Sequence, residues 1–303
     1  MDQAPPLIAV MGPTGSGKSD VAEMVAAKLG AVLVSADAFQ VYRGFDIGTN
    51  KPNDRSRYEL IDICEPPEQF GVGEFLQRCG PILAKAWEGR IPVVVAGGTG
   101  LYIRALFEGY ADLAGPPDSA VRAELMQRER ESGLGALAEE LTRLDPDTKV
   151  DLANPVRVRR ALERIYCPTE PVKVDLPPFN QSKFSLEVEP AGHRALLASR
   201  LDAMIDRGWI EEVKMLQGKG IAQNAPAMRA IGYHSWIRYL SKATTLDEAK
   251  EEILTLTVQY AKRQRTWLRK EPRLRTLAVE PGSVRSLKAV AASIWTSAAK
   301  RDG

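Results

Sequence analysis

The residues that could do chemistry begin at Gly12. Gly12-Pro13-Thr14-Gly15-Ser16-Gly17-Lys18-Ser19 fits the pattern G-x-x-x-x-G-K-[ST] and lies between an apolar run and a helical pattern. Glycines let successive backbone N–H groups wrap a phosphate, and a helix N-terminus adds partial positive charge. In that arrangement Lys18 reaches the terminal phosphate and the Ser19 hydroxyl holds Mg²⁺. Such a loop grips a diphosphate whatever else is attached to it, so it does not by itself specify a nucleotide. The run Ile91–Ala96 ends in Gly97-Gly98-Thr99, where a typical nucleoside triphosphatase carries a metal-binding acid. Its absence weakens an ATPase reading. The acid that does stand at a strand-like end near the loop is Asp37, in Ser35-Ala36-Asp37. A carboxylate there could bind Mg²⁺ or accept a proton from a nucleophile; an aspartate in a turn could equally be a cap.

These residues need a scaffold that brings three turns together. Leu7–Met11, Ala31–Val34 and Ile91–Ala96 are short apolar runs that lead into turns starting at Gly12, Ser35 and Gly97. Val21, Met24, Val25 and Leu29 recur at helical spacing after the first turn. Alternating strand, glycine turn and helix predicts an α/β domain with a parallel sheet. Ligands of such sheets bind at the carboxyl ends of the strands, so the three turns should face one crevice.

Residues 113–185 read as a helical insertion. Gly115-Pro116-Pro117 opens it, a charged helical stretch follows, and a second helix covers about Leu134–Leu144. Asn154-Pro155 starts a third, with Asn as N-cap and Pro at the first helical position, and Pro168 ends it. Residues 168–185 are proline-rich and expected as loop. Residues 190–270 are mostly helical, and a strand and a final helix follow Pro272. The core is therefore expected over 1–112 and 186–303.

The chain has 303 residues, of which 44% are hydrophobic and 26% charged, with a net charge of +2. These values describe an ordinary globular protein and do not announce a nucleic-acid binder. No apolar run reaches the length of a membrane span, and Met1–Pro6 lacks the features of a signal peptide. A cytoplasmic protein without membrane attachment is expected. Cys64, Cys79 and Cys167 are odd in number and have no metal-ligand spacing, so free thiols are expected. Basic charge is local. Lys262–Arg275 holds seven basic residues and one acid, and Arg157–Arg164 holds four arginines and one glutamate. On the helix after Asn154, Arg157, Arg160 and Arg164 fall on one face. Val158, Leu162 and Ile165 form an opposite apolar face, and Arg159 can pair with Glu163 at i, i+4. An arginine face on a nearly neutral protein leans towards phosphate contacts. On Tyr260–Arg269, Tyr260, Gln264 and Trp267 share a face that reads as core, as do Trp209 and Trp236.

Six segments resemble, in order, the signatures of tRNA dimethylallyltransferases. They are GPTGSGKS at Gly12, VSADAFQVYRGFDIGTNKP at Val34, GGTGLY at Gly97, NPVRVRRALE at Asn154, RAIGY at Arg229 and YAKRQRTWLR at Tyr260. The chain departs from the family pattern at Ala38, Phe39 and Asn50, in the stretch after Arg164, and at Tyr58–Asp62, which lacks a usual histidine pair. The resemblance implies a P-loop kinase-like core with a helical insertion that contacts tRNA. It implies transfer of a dimethylallyl group from dimethylallyl diphosphate to N6 of the adenosine on the 3′ side of the anticodon, by a monomer using Mg²⁺. By similarity Asp37 is the general base, Gly12 to Ser19 hold the diphosphate, and Lys18, Arg229 and Mg²⁺ on Ser19 stabilise its departure. Thr99 reaches the same crevice. Asp37, Ala38, Phe39, Gln40, Thr99, Arg122, Arg157, Arg159, Arg160, Arg263 and Gln264 are the implied tRNA contacts. Competing readings are a relative that prenylates free AMP or ADP, a small-molecule kinase using the same loop, and a non-catalytic RNA-binding protein.

Overall fold

The computed structural model describes residues 4–109, 119–168, 176–280 and 282–299. The first apolar run forms β1 (Pro6–Met11), in which every residue from Leu7 to Met11 is buried. A strand covered on both faces belongs inside a parallel sheet. β2 (Val32–Ser35), β3 (Tyr58–Glu59), β4 (Val93–Gly97), β5 (Asn180–Val188) and β6 (Leu274–Val279) complete one sheet in the order β3-β2-β4-β1-β5-β6. Each neighbouring pair is parallel. Met11 pairs with Gly97 and Ser35 with Ala96. The carboxyl ends of β1, β2 and β4 therefore finish level, and the turns after them open on one edge of the sheet.

The helices are α1 (Lys18–Leu29), α2 (Val72–Glu88), α3 (Gly100–Glu108), α4 (Ser119–Leu144), α5 (Pro155–Tyr166), α6 (His193–Asp206), α7 (Trp209–Gly218), α8 (Tyr233–Leu240), α9 (Leu246–Leu268) and α10 (Val284–Ala299). Val21, Ala22 and Val25 of α1 and Ala291 and Ile294 of α10 share a core with β1 and β4. A second core gathers under α6 to α9 around Phe45, Trp209, Tyr233 and Trp236. The expected core tryptophans are there. α9 starts at a reciprocal cap, Thr245 accepting from the Glu248 N–H while the Glu248 carboxylate accepts from the Thr245 N–H. No helix among the described residues is long and apolar enough to cross a membrane. Cys64, Cys79 and Cys167 are free thiols.

The chain folds as two compact units, Met1–Gly109 with Asp175–Gly303, and Tyr110–Val174. The second unit has its own small core, in which Leu125, Leu137 and Leu141 of α4 meet Val158 and Leu162 of α5. Gly133 breaks α4 with non-helical angles, so the two helices read from the sequence are both present. Asn154 caps α5, accepting from the Val156 and Arg157 N–H groups, and Pro155 is its first residue.

Two expectations are corrected. Residues 180–185, read as the end of a proline-rich loop, are the first two-thirds of β5 and pair with Pro6–Met11. The return to the sheet therefore precedes residue 186. The polar start of this strand, Asn180 to Lys183, hides it; Lys183 is buried only because Glu108 and Glu271 sit 2.7 and 2.6 Å from its Nζ. On α5, Arg159 does not pair with Glu163 but with Glu129 of α4. Ile165, placed on the apolar face, is exposed. The boundary expected at 112–113, Gly115-Pro116-Pro117, and most of the stretch before residue 176 lie outside the described residues.

Candidate active site

β1 ends at Met11 and the chain turns through Gly12–Gly17 into α1. Gly15 and Gly17 adopt left-handed angles, φ 80° and 79°, which glycine reaches without strain. The Ser16 N–H closes the turn on the Pro13 carbonyl at 3.2 Å. Gly17 caps α1 with no side-chain bond, so the first-turn N–H groups remain available to an anion. Lys18 and Ser19 line the polar cavity beside this turn. The Lys18 ammonium has no hydrogen-bond partner among the described residues. Burial and the neighbouring Arg200 depress its pKa to about 8, against the opposing pull of Asp37.

Arg200, on α6, lines the same cavity. It too has no ion-pair partner among the described residues; burial works against its charge while Asp20 and Asp37 favour it. Two half-buried cations beside open backbone donors constitute an anion site. Arg200 was missed in the sequence, although a signal existed. Leu197, Leu201 and Met204 form the buried stripe of α6, and position 200 lies within that stripe, where an unpaired charge calls for a reason.

Asp37 follows β2. Its Oδ1 accepts from the Phe39 N–H at 2.9 Å and the Gln40 N–H at 3.3 Å, so the turn-cap reading is correct for one oxygen. Oδ2 accepts from none of the described residues. Asp37 lines the polar cavity of the phosphate turn and also a second cavity of about 280 Å³, whose far side is Leu197, Leu201, Met204, Ile231 and Ile253. A third cavity, lined by Ala38, Phe39, Gly97 to Gly100, Tyr260 and Trp267, adjoins through Phe39 and Tyr260. The expected crevice is thus three connected spaces: polar, apolar and aromatic.

The turn after β4 lies against the Asp37 turn. A Cβ on Gly97 would collide with the Ala36 carbonyl, so only glycine permits this approach. The Thr99 hydroxyl accepts from the Ala38 N–H at 3.1 Å and keeps its own proton to donate. Gln40 is consumed internally, accepting from the Ser35 hydroxyl and donating to the Thr49 and Asn50 carbonyls. The segment beyond is pinned by the buried Glu212 carboxylate, which accepts from the N–H groups of Asp46 and Ile47 and from the Tyr233 hydroxyl.

Gln264, on α9, is buried. Its Oε1 accepts from the Thr14 N–H at 2.8 Å and its Nε2 donates to the Gly98 carbonyl at 3.1 Å. Both of its amide groups strap the phosphate turn to the glycine turn. Arg263 is exposed, lies over the Tyr260 ring at 5.8 Å and lines the apolar and aromatic cavities. Tyr260 and Trp267, read as core, line the crevice instead. Arg229 is exposed at the rim of the apolar cavity and does not line the phosphate cavity.

In the second unit, the Glu163 carboxylate is buried and takes two arginines: Arg122 in a bidentate pair, Nε to Oε1 at 2.8 Å and Nη2 to Oε2 at 3.2 Å, and Arg160 at 3.0 Å. These cations hold the Glu163 pKa down against burial. Arg157 is exposed, 4.0 Å from Asp151.

Sequence comparison agrees with this geometry. The family described as IPP transferase matches residues 40–271, and the one described as Isopentenyl transferase matches residues 5–60. The tRNA dimethylallyltransferase of Pelotomaculum thermopropionicum is 38% identical over 288 residues, covering 91% of each chain. That of Kocuria rhizophila is 38% identical over 296 residues, covering 94% of this chain and 93% of its own. The crystal structure of the full-length tRNA isopentenylpyrophosphate transferase of Bacillus halodurans superposes with a TM-score of 0.71 at 30% identity, covering 98% of both chains. With a family match over most of its length and relatives aligned nearly end to end, this chain belongs to the IPP transferase family, the tRNA dimethylallyltransferases.

Proposed function

We propose that this enzyme transfers a dimethylallyl group from dimethylallyl diphosphate to N6 of the tRNA adenosine on the 3′ side of the anticodon, releasing diphosphate. The observation that carries the reading is the position of Asp37, with one oxygen fixed by backbone donors and the other without a protein donor among the described residues, on the lining that the phosphate cavity shares with the apolar cavity. The diphosphate sits on Gly12 to Ser19 with Lys18 and Arg200. The prenyl carbons lie against Leu201 and Met204. The adenine enters between Phe39, Thr99 and Trp267.

An exocyclic adenine amine is a weak nucleophile, and Asp37 makes its attack productive by taking the proton. The nitrogen lone pair forms the bond to C1 of the dimethylallyl group, the C1–O bond breaks, and diphosphate leaves with the electron pair onto Lys18, Arg200 and the loop N–H groups. Thr99 orients the base through its free hydroxyl proton. Among the described residues no three His, Cys, Asp or Glu side chains converge for a metal. Ser19 with diphosphate oxygens and water is a donor set suited to Mg²⁺, which would neutralise charge on the departing diphosphate. Arg229 is a rim contact for tRNA rather than a diphosphate ligand.

Residues 110–174 contribute tRNA backbone contacts through Arg122, Arg157 and Arg160, with Arg159 held back on Glu129; Arg263 and Ala38 to Gln40 border the entry of the target base. The test is to incubate the protein with unmodified tRNA, dimethylallyl diphosphate and Mg²⁺ and weigh the nucleosides, with AMP as a parallel acceptor. An adenosine heavier by one dimethylallyl group in tRNA is expected. Prenylated AMP with unchanged tRNA, or ATP consumption without prenylation, would overturn the assignment.

A further inference from the structure

The first residue of α6, His193, is buried against the phosphate turn and has no part in the reaction as derived. Its Nε2 lies 3.0 Å from the Thr14 carbonyl oxygen and its Nδ1 lies 2.8 Å from Nη1 of Arg265. A guanidinium can only donate, so Nδ1 must present its lone pair. The single ring proton is then on Nε2, where it is donated to the Thr14 carbonyl. On the other side of the same residue, the Thr14 N–H is held by Gln264. Consecutive residues of α9 therefore fix both backbone polar groups of Thr14, Gln264 directly and Arg265 through the imidazole.

We propose that His193, as the neutral Nε2–H tautomer, is a positioning residue that sets the phosphate turn in its diphosphate-binding conformation before substrate arrives. This rests on the reading of Gly12 to Ser19 as the diphosphate site. A turn so rich in glycine, with Gly12, Gly15 and Gly17 in close succession, has wide conformational freedom, and ordering it on binding is costly. A relay that orders it beforehand lowers that cost. The imidazole also borders the left-handed Gly15, where an added Cβ would stand 3.4 Å from Nε2. A buried imidazole beside a guanidinium is an expensive way to fill space; its two directional bonds are what an apolar residue could not supply.

The groups facing His193 make the neutral form the working one. From α9 it meets the Arg265 cation, and from the phosphate turn it meets the Thr14 carbonyl; among the described residues no other charged group acts on it. On its own helix Leu196 and Leu197 share the Gly15 side, while Arg194 pairs with Glu251. Burial, and then Arg265, lower the His193 pKa against the Thr14 carbonyl. Protonation would aim an Nδ1–H at the guanidinium and break the relay, so diphosphate affinity should fall as pH drops through this depressed value.

The experiment measures, on the full chain between about pH 5.5 and 8.5, the KM for dimethylallyl diphosphate, kcat, and the inhibition constant of inorganic diphosphate. For His193→Leu, KM and the inhibition constant should rise about tenfold with kcat changed much less, the loss of one relayed hydrogen bond. His193→Gln can donate to Thr14 and accept from Arg265, so it should recover most of the affinity and lose the excess acid-side weakening seen in the parent. Unchanged constants in His193→Leu overturn the proposal. So does a Gln variant that binds about tenfold more weakly than the parent and keeps the parent's pH dependence, a comparison of Gln with parent that decides the matter if the Leu variant does not fold. Failure of diphosphate to compete in the parent enzyme would instead overturn the site itself.

Discussion

The Thr99 hydroxyl accepts a hydrogen bond from the Ala38 N–H at 3.1 Å, joining the turn after β4 to the residue that follows Asp37. The base and the surface that receives its substrate are thereby held as one piece. Thr99→Val keeps the shape, leaves the Ala38 N–H without its acceptor and removes the hydroxyl donor. A fall in kcat of roughly 10- to 100-fold is expected, from about 1–3 kcal/mol for one unsatisfied, half-buried donor and the lost hydroxyl donor. Thr99→Ser should restore most of it. Equal kcat in Thr99→Val would remove Thr99 from the site.

Asp37→Asn preserves the acceptor for Phe39 and Gln40 and removes the basic oxygen. Transfer should slow by about 10²- to 10⁴-fold with the KM for dimethylallyl diphosphate nearly unchanged, as measured by single-turnover transfer to tRNA. Loss of Mg²⁺ or diphosphate affinity with an unchanged chemical step would make Asp37 a metal ligand instead.

Lys18 and Arg200 predict a pH effect of definite sign. Lys18 is charged below its depressed pKa of about 8 and loses the proton above it. Diphosphate inhibition of the free enzyme should therefore weaken as pH rises through about 8, and Lys18→Arg should extend tight inhibition to higher pH. Lys18→Ala should nearly abolish transfer, and Arg200→Met should weaken diphosphate by more than Arg229→Met does. The reverse order of the two arginines would return the leaving-group role to Arg229.

Glu163 divides the arginines of the second unit into two kinds. Arg157→Ala removes an exposed cation, so the log–log salt slope of tRNA binding should fall by roughly 0.7, one phosphate contact on a single strand, with thermal stability unchanged. Arg122→Ala takes the bidentate partner from a buried carboxylate that keeps Arg160, and should also destabilise that unit, by about 1–3 kcal/mol. An Arg122→Ala protein as stable as the parent would show that the buried pair is not needed for packing. An unchanged slope in Arg157→Ala would place that residue off the tRNA.

Much of this enzyme was legible in its residues because the relevant physics is local. The phosphate turn needs glycines, a lysine and a serine at fixed spacing between a strand and a helix. The start of α5 needs Asn154 and Pro155 side by side. The strands that present Asp37 and Thr99 are continuous apolar runs. What the sequence left open concerns partners far apart in the chain. β5 begins with polar residues and becomes a strand because β1, far earlier in the chain, offers it an edge. Lys183 is tolerated inside because Glu108 and Glu271 arrive from two other elements. Glu163 could reach Arg159 along its own helix, but packing α4 against α5 gave it Arg122 and left Arg159 to Glu129. Arg200 shows only as a charge within an apolar stripe, and Gln264 and His193 show no strapping role, until α6 and α9 are laid against the phosphate turn. The sequence determined which chemistry the chain carries, through groups whose geometry is set within a few residues. Tertiary structure alone decided which charges are paired, which remain free for substrate, and which side chains hold the loops still, because those outcomes depend on burial and on distances between segments that no local spacing encodes.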